Sequence, residues 1–117
     1  MSIGGKSNLS EAQKALLSGL TGFTWKKTGG GCYHMDFDHV SSRNQTGEFA
    51  NKQEAVIQIL EKAGAQKDSD YTFGFATKFI KGDLQNLSIP YVMITNDEMN
   101  HYLEQLLTRP SIQRSTL

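Results

Sequence analysis

Two short stretches of the chain alternate strictly between apolar and polar side chains. In the first, Phe23 and Trp25 alternate with Thr24 and Lys26. In the second, Tyr33, Met35 and Phe37 alternate with His34, Asp36 and Asp38. A period of two is the mark of a half-buried strand. The two stretches flank Gly29, Gly30 and Gly31, so together they predict a β-hairpin. Its register follows from burial. A loop of Gly29 and Gly30 alone would set Trp25 against His34 and Phe23 against Asp36, placing two rings on the polar face. A three-residue loop sets Trp25 against Met35, Phe23 against Phe37, Lys26 against His34 and Thr24 against Asp36. Burial of one face selects strongly for the second register, and glycine adopts the left-handed residue that such loops require.

Helical periodicity appears three times. Ser10 with Gln13 forms a capping-box pattern opening a helix whose stripe is Ala12, Ala15, Leu16 and Leu20, ending at Gly19 or Gly22. Asn51 with Glu54 repeats the pattern ahead of Val56, Ile59, Leu60 and Ala63, with Ile57 at the margin and Gly64 as the stop. Thr95 with Glu98 opens a third helix burying Met99, Tyr102, Leu103, Leu106 and Leu107, with Ile94 stapled on Met99 and with His101, Glu104 and Gln105 facing water. Between the hairpin and the second helix, Ser41–Gly47 has turn chemistry and 47–50 reads as a short strand.

Two further strands are expected. From Tyr71 to Ile80, Tyr71, Phe73, Phe75 and Phe79 alternate with small or polar residues, among them Gly74 and Ala76, which leave room for a helix or a ligand. Lys81–Ser88 reads as a connection with one helical turn. Ile89–Ile94 reads as a short strand, with Pro90 suited to a strand start or an edge. The order helix, strand, strand, helix, strand, strand, helix predicts an α+β fold: one domain over residues 10–108, with about four largely antiparallel strands and the helices packed on one face. Residues 1–9 and 109–117 are expected to be loose flanks.

Composition narrows the function. Twelve basic and twelve acidic residues balance to a net charge of zero, which argues against broad capture of nucleic acid or of an anionic membrane. No apolar run is long enough to span a bilayer. The lone Cys32 and a start without an apolar signal core lead to the expectation of a cytoplasmic protein. Cys32 itself reads as a buried or edge thiol.

The densest chemistry is His34, Asp36, Asp38 and His39. Imidazole and carboxylate suit a divalent metal ion such as Zn or Mn. On a straight strand, however, His34 and Asp38 start about 13 Å apart, and His39 points to the opposite face. One ion held by all four therefore requires a bulge or strand end near Asp38. The alternative is a solvated polar face on which Lys26 neutralises Asp36.

Met35–Val40, Met-Asp-Phe-Asp-His-Val, resembles the first strand of some phage-type HNH nucleases. That resemblance implies His39 as general base, Asp38 as metal ligand, and Asn44 or Asn51 as the middle residue of a ββα metal site. The following helix has no histidine, with Gln58 the nearest polar candidate, and there are no paired Cys-x-x-Cys knuckles. His34–His39 also resembles the His-x-His-x-Asp-His pattern of metallo-β-lactamase-like hydrolases. It departs at the second position, and the chain is too short for that fold.

The leading expectation is a small protein-binding or regulatory module without a cofactor. It would engage a protein partner or a second copy of itself through an open sheet face around Lys26, His34 and Asp36, or through an edge strand at Ile89–Ile94. The rival is a metal-dependent hydrolase or nuclease using His34, Asp36, Asp38 and His39. A third reading is a small ligand over Gly74 and Ala76.

Overall fold

The computed structural model describes residues 9–79 and 86–108. Of the flanks expected at 1–9 and 109–117, residues 1–8 and 109–117 lie outside the described residues, while Leu9 is buried. Of the connection with one helical turn expected at 81–88, residues 81–85 lie outside them, and Leu87 and Ser88 are strand. In chain order the elements are α1 (Glu11–Leu17), a 3₁₀ turn (Ser18–Gly22), β1 (Trp25–Lys27), β2 (Tyr33–Met35), α2 (Arg43–Lys62), β3 (Tyr71–Lys78), β4 (Leu87–Ile94) and α3 (Asp97–Thr108). The four strands form one antiparallel sheet in the order β1-β2-β4-β3. This is the expected α+β architecture. β2 and β3 both run antiparallel to β4, so they run parallel to each other. The α2 crossover between them spans the strand that later fills the gap.

The hairpin has the three-residue loop that burial selects. Trp25 pairs with Met35, Lys26 with His34 and Lys27 with Tyr33. The Thr28 amide donates to the Cys32 carbonyl at 2.8 Å, closing the loop, and Gly31 takes φ +92°. A side chain there would be strained, which is why this position needs glycine. The Trp25 ring turns to the core side and donates from Nε1 to the Leu20 carbonyl at 2.7 Å.

α2 corrects the sequence reading most. It starts at Ser42, whose hydroxyl accepts from the Gln45 amide, and not at Asn51, which lies exposed inside the helix. The predicted strand at 47–50 is helical as well. Gly47 in a helix interior costs about 1 kcal/mol. Burial of Phe49 offsets this, since Phe49 continues the stripe of Val56 and Leu60 by two further turns. Full burial of a side chain of this size contributes about 1.5–3 kcal/mol. The helix stops as predicted at Gly64, φ +88°. The Ala65 amide donates to Leu60 O and the Gly64 amide to Glu61 O, the paired bonds of a Schellman ending.

α1 keeps its capping box, but Leu17 and Leu20 are the residues it and the 3₁₀ turn bury. Ala12, Ala15 and Leu16 are exposed. The tightening to a 3₁₀ turn after Leu17 changes the spacing of the buried stripe to three. α3 is capped by Asn96, not Thr95: its Oδ1 accepts from the Met99 amide at 3.0 Å. α3 buries Met99, Asn100 and Leu103, while Leu107 is exposed.

One face of the sheet presents Tyr33, Met35, Tyr71, Val92 and Ile94 to the helices, and all five are buried. Of the alternate residues, Lys26, His34, Thr72, Gly74, Tyr91 and Met93 remain partly or fully exposed, whereas Leu87 and Ile89, at the other end of the same face, are buried. Two polar devices pin the layers together. Asp70, 1% exposed, accepts on its carboxylate from the Gln66 amide and from Asn96 Nδ2, and on its carbonyl from the amides of Thr95 and Asn96. A buried carboxylate is tolerated because it is so fully hydrogen-bonded. Asn100 bridges β2 and β4: it accepts from the Tyr33 amide and donates to the Ile94 carbonyl, both at 2.9 Å.

Two strand assignments change. β4, expected at an edge, lies inside the sheet, and β3 is an edge. Pro90 is accommodated because β2 pairs with β4 only at His34–Met93. By the time the chain reaches Pro90, no β2 amide or carbonyl stands opposite it. The aromatic residues of β3 are mostly uncovered: Phe73 is 38%, Phe75 68% and Phe79 69% exposed.

Candidate functional site

Of Lys26, His34, Asp36, Asp38 and His39, the uncovered face of the sheet carries Lys26 and His34, and the turn that follows β2 carries the other three. Strand alternation sets His34 beside Lys26 on β1 and beside Met93 on β4. Regular pairing then ends. The last ladder-like bond runs from the Asp36 amide to the Thr24 carbonyl at 2.9 Å. Asp36 next caps a turn, its Oδ1 accepting from the Asp38 amide at 3.0 Å, and the Val40 amide donates back to the Phe37 carbonyl. This turn redistributes the cluster.

Phe37 does not continue the apolar face opposite Phe23. Its ring sits 5.4 Å from the His34 ring and 5.8 Å, edge-on, from that of Tyr91. Asp38 swings to Lys26, with which it forms a hydrogen-bonded ion pair. The partner of Lys26 is therefore Asp38 and not Asp36, because the turn after Met35 advances the later carboxylate towards β1. The hydrogen bond and charge of Lys26 hold the Asp38 carboxyl below the ordinary carboxylate range, and Asp38 raises Lys26 in return. Lys78 anchors the turn from β3, donating from Nζ to the Asp38 carbonyl and, at 2.9 Å, to the Val40 carbonyl. Leu87 and Ile89 are buried at this end.

His39 leaves the cluster. Its ring packs edge-on against Phe49 of α2 at 5.6 Å. His34 Nδ1 lies 2.9 Å from the Met35 carbonyl. Among the described residues, no three His, Cys, Asp or Glu side chains converge on a point where a metal ion would sit. Asn44, Asn51 and Gln58, which the nuclease resemblance brings into play, all lie on exposed positions of α2.

The turn and the sheet instead border an open, apolar cleft of about 210 Å³. Its lining is Thr28 and His34 from the hairpin, Phe37 from the turn, Phe75 and Ala76 from β3, and Tyr91 and Met93 from β4. From the helical layer, Gln53 of α2 donates from Nε2 to the carbonyls of Gly74 and Tyr91, each at 3.1 Å. On the opposite face the Tyr91 ring covers Gly74, where a Cβ would come within 3.8 Å of it, and Ala76 is partly exposed. The small residues at 74 and 76 were the sequence signal for this cleft. Phe37, Tyr91 and Met93 carried none, because a turn and a strand far along the chain bring them to His34. Cys32 is free and half-buried at the strand start. His101 is exposed on α3, with Nε2 3.2 Å from Gln105 Nε2.

The edge of β3 has a definite polarity. The Asp68 amide donates to the Tyr71 carbonyl at 2.7 Å, on the side away from β4, and Lys67 bridges Tyr71 there. On the other side, the Thr95 amide donates to the Asp70 carbonyl. In an antiparallel strand, alternate residues direct both backbone groups to the same side. Phe73, Phe75 and Thr77, in step with Tyr71, therefore present N–H and C=O outward. Pro90, opposite Phe75, agrees: a residue in such a pair offers no amide to β3. Lys67 Nζ stands 4.9 Å over the Phe73 ring. Among the described residues, nothing pairs with this edge from 73 to 77.

No helix among the described residues is long and apolar enough to cross a membrane. Comparison of the chain with family models, with curated proteins and with solved structures finds no match to any of them.

Proposed function

We propose that this chain is a protein-binding module whose working surface is the uncovered sheet face together with the free edge of β3. A partner would lay an extended segment along β3 and seat one apolar side chain in the cleft between Phe37, Tyr91 and Ala76. The observation that carries this reading is the cleft itself, built from rings gathered beside an edge whose backbone groups point outward. Strand addition works in this way: main-chain hydrogen bonds supply affinity and a neighbouring pocket supplies selectivity. Size favours a partner's side chain over a free metabolite. About 210 Å³ falls below the ~300–1,000 Å³ usual for small-molecule sites. The zero net charge fits a partner recognised by shape and apolar contact.

A displayed library of random peptides tests this. Selected binders should share an aromatic or aliphatic anchor. They should also shift the amide resonances of His34, Ala76, Tyr91 and Met93. Ala76→Leu, which fills the cleft from an edge strand, should weaken their binding at least tenfold while leaving the melting temperature within a few degrees. Peptides that bind Ala76→Leu as well as the wild type, or that map to the helices, would remove the reading.

A further inference from the structure

The β3 edge matches itself, and we infer that its occupant in solution is a second copy of this chain, paired β3 to β3 in antiparallel fashion about a twofold axis through Phe75. This rests on the reading of the β3 edge as a binding surface and names the partner.

Register leads to this conclusion. The edge is closed at Tyr71 by the Lys67–Asp68 loop and β3 ends at Lys78. The outward backbone groups left for pairing belong to Phe73, Phe75 and Thr77. These are spaced evenly about Phe75, so a twofold rotation at that residue sets the donors of one copy on the acceptors of the other. Phe75 then faces Phe75 of the second copy, and Phe73 faces Thr77. A twofold contact has to be self-complementary in this sense.

Charge raises no objection to the pairing. The chain is neutral overall. The one charged residue of β3, Lys78, is turned back onto the carbonyls of Asp38 and Val40 and would stand opposite Thr72, not another lysine. Edge strands that avoid such pairing are protected by proline or by charge, lysine above all. Residues 73–77 carry neither, and the one lysine seen beside them, Lys67, is held with its ammonium 4.9 Å over the Phe73 ring.

Area sets the strength. With ~200 Å² for a full aromatic side chain, the exposed fractions of Phe73, Phe75 and Phe79 leave roughly 350 Å² of ring surface per copy. Stable interfaces bury about 800 Å² per partner. The dimer is therefore weak and concentration-dependent.

Cross-linking in the full chain reads the register directly. In a Cys32→Ser background, Phe75→Cys should form a covalent dimer under mild oxidation, because a hydrogen-bonded antiparallel pair sets its Cα atoms about 5.5 Å apart, within disulfide reach. Phe73→Cys alone should not, since its own copy would lie roughly 13–14 Å away along the strand, but mixing it with Thr77→Cys should yield the heterodimer. Sedimentation of the unmodified protein between about 10 µM and about 1 mM, which spans the micromolar-to-millimolar dissociation constants of weak association, should show a rising dimer fraction. Thr77→Pro should abolish that fraction, because it removes only an outward amide. A protein that stays monomeric throughout, or Phe73→Cys linking to itself as fast as Phe75→Cys, overturns the inference. If peptides still bind in an Ala76-dependent manner, a monomer overturns the self-pairing alone. If they do not, the binding reading falls with it.

Discussion

β3 and β4 are both eight residues long and pair with each other at every position, yet they have opposite fates. In β4, Ile89, Val92 and Ile94 are 0% exposed. In β3, directly across the ladder, Phe75 is 68% exposed. Apolar alternation is at least as clear in β3. The pattern thus reports that a segment is extended, whereas burial depends on what the rest of the chain places over it. β4 has β3 along the whole of one side, β2 against its C-terminal end on the other, and α2 across it. β3 has a partner on one side only, and its free side carries the rings and backbone groups to which we assign binding.

Mutation should separate the two strands sharply. Ile94→Ala should lose about 2–5 kcal/mol of stability, the cost of deleting a buried branched side chain together with the cavity left behind. Phe75→Ser, across the same ladder, should stay within about 0.5 kcal/mol. Urea denaturation of both variants measures the contrast, and a comparable loss in each would end the distinction between interior and edge.

Asn100 extends the comparison to the other side of β4. Its amide stands in for a backbone partner between β2 and β4, so Asn100→Leu leaves the Tyr33 amide and the Ile94 carbonyl buried without their bonds. A loss of about 1–3 kcal/mol is expected, with faster hydrogen exchange at Tyr33 than at amides of the β3–β4 ladder. The long helix over the sheet supplies a smaller effect. Ser42→Ala should cost about 1 kcal/mol through its cap, and Asn51→Ala, at the start the sequence suggested, close to nothing.

The smallest effect concerns the exposed ion pair. The Asp38 carboxyl titrates below its ordinary value of 3.8, so its stabilising contribution is present above that value and fades as pH falls through the lower folded one. Lys26 titrates above 10.5, so its contribution is present below that value and fades as pH rises through the higher folded one. The pair is therefore intact across the neutral range. Both partners are about half exposed, and surface pairs contribute little. Carboxyl-detected NMR should follow Asp38 back towards its ordinary value in Lys26→Met with almost no change in the denaturation midpoint. An unmoved Asp38 titration would mean that Lys26 is not its partner.

Local chemistry explains which features could be read from the chain. The hairpin register, the Ser10–Gln13 box, the stop at Gly64 and the α+β order each depend on residues within a few positions of one another, where backbone sterics and single hydrogen bonds decide. The Ser42 start of α2 was equally local, a serine followed three residues later by Gln45, but Gly47 and the polar composition of 41–47 masked it. Only burial of Phe49 tips that stretch into helix.

The candidate site was legible only in part. That His34 faces away from the core, on the side of Lys26, follows from strand alternation and needs no tertiary information. That Asp38 rather than Asp36 meets Lys26, that His39 departs to Phe49, and that Phe37, Tyr91 and Met93 gather around His34 depend on where the chain turns and on β4 entering between β2 and β3. Strand order is a property of the whole sheet, because every strand needs a neighbour and no single segment specifies which one it obtains. Sequence alone therefore determined that the hairpin, β3 and β4 are extended and which face of the hairpin is oily, while the tertiary structure decided where the strands end and which oily faces are covered.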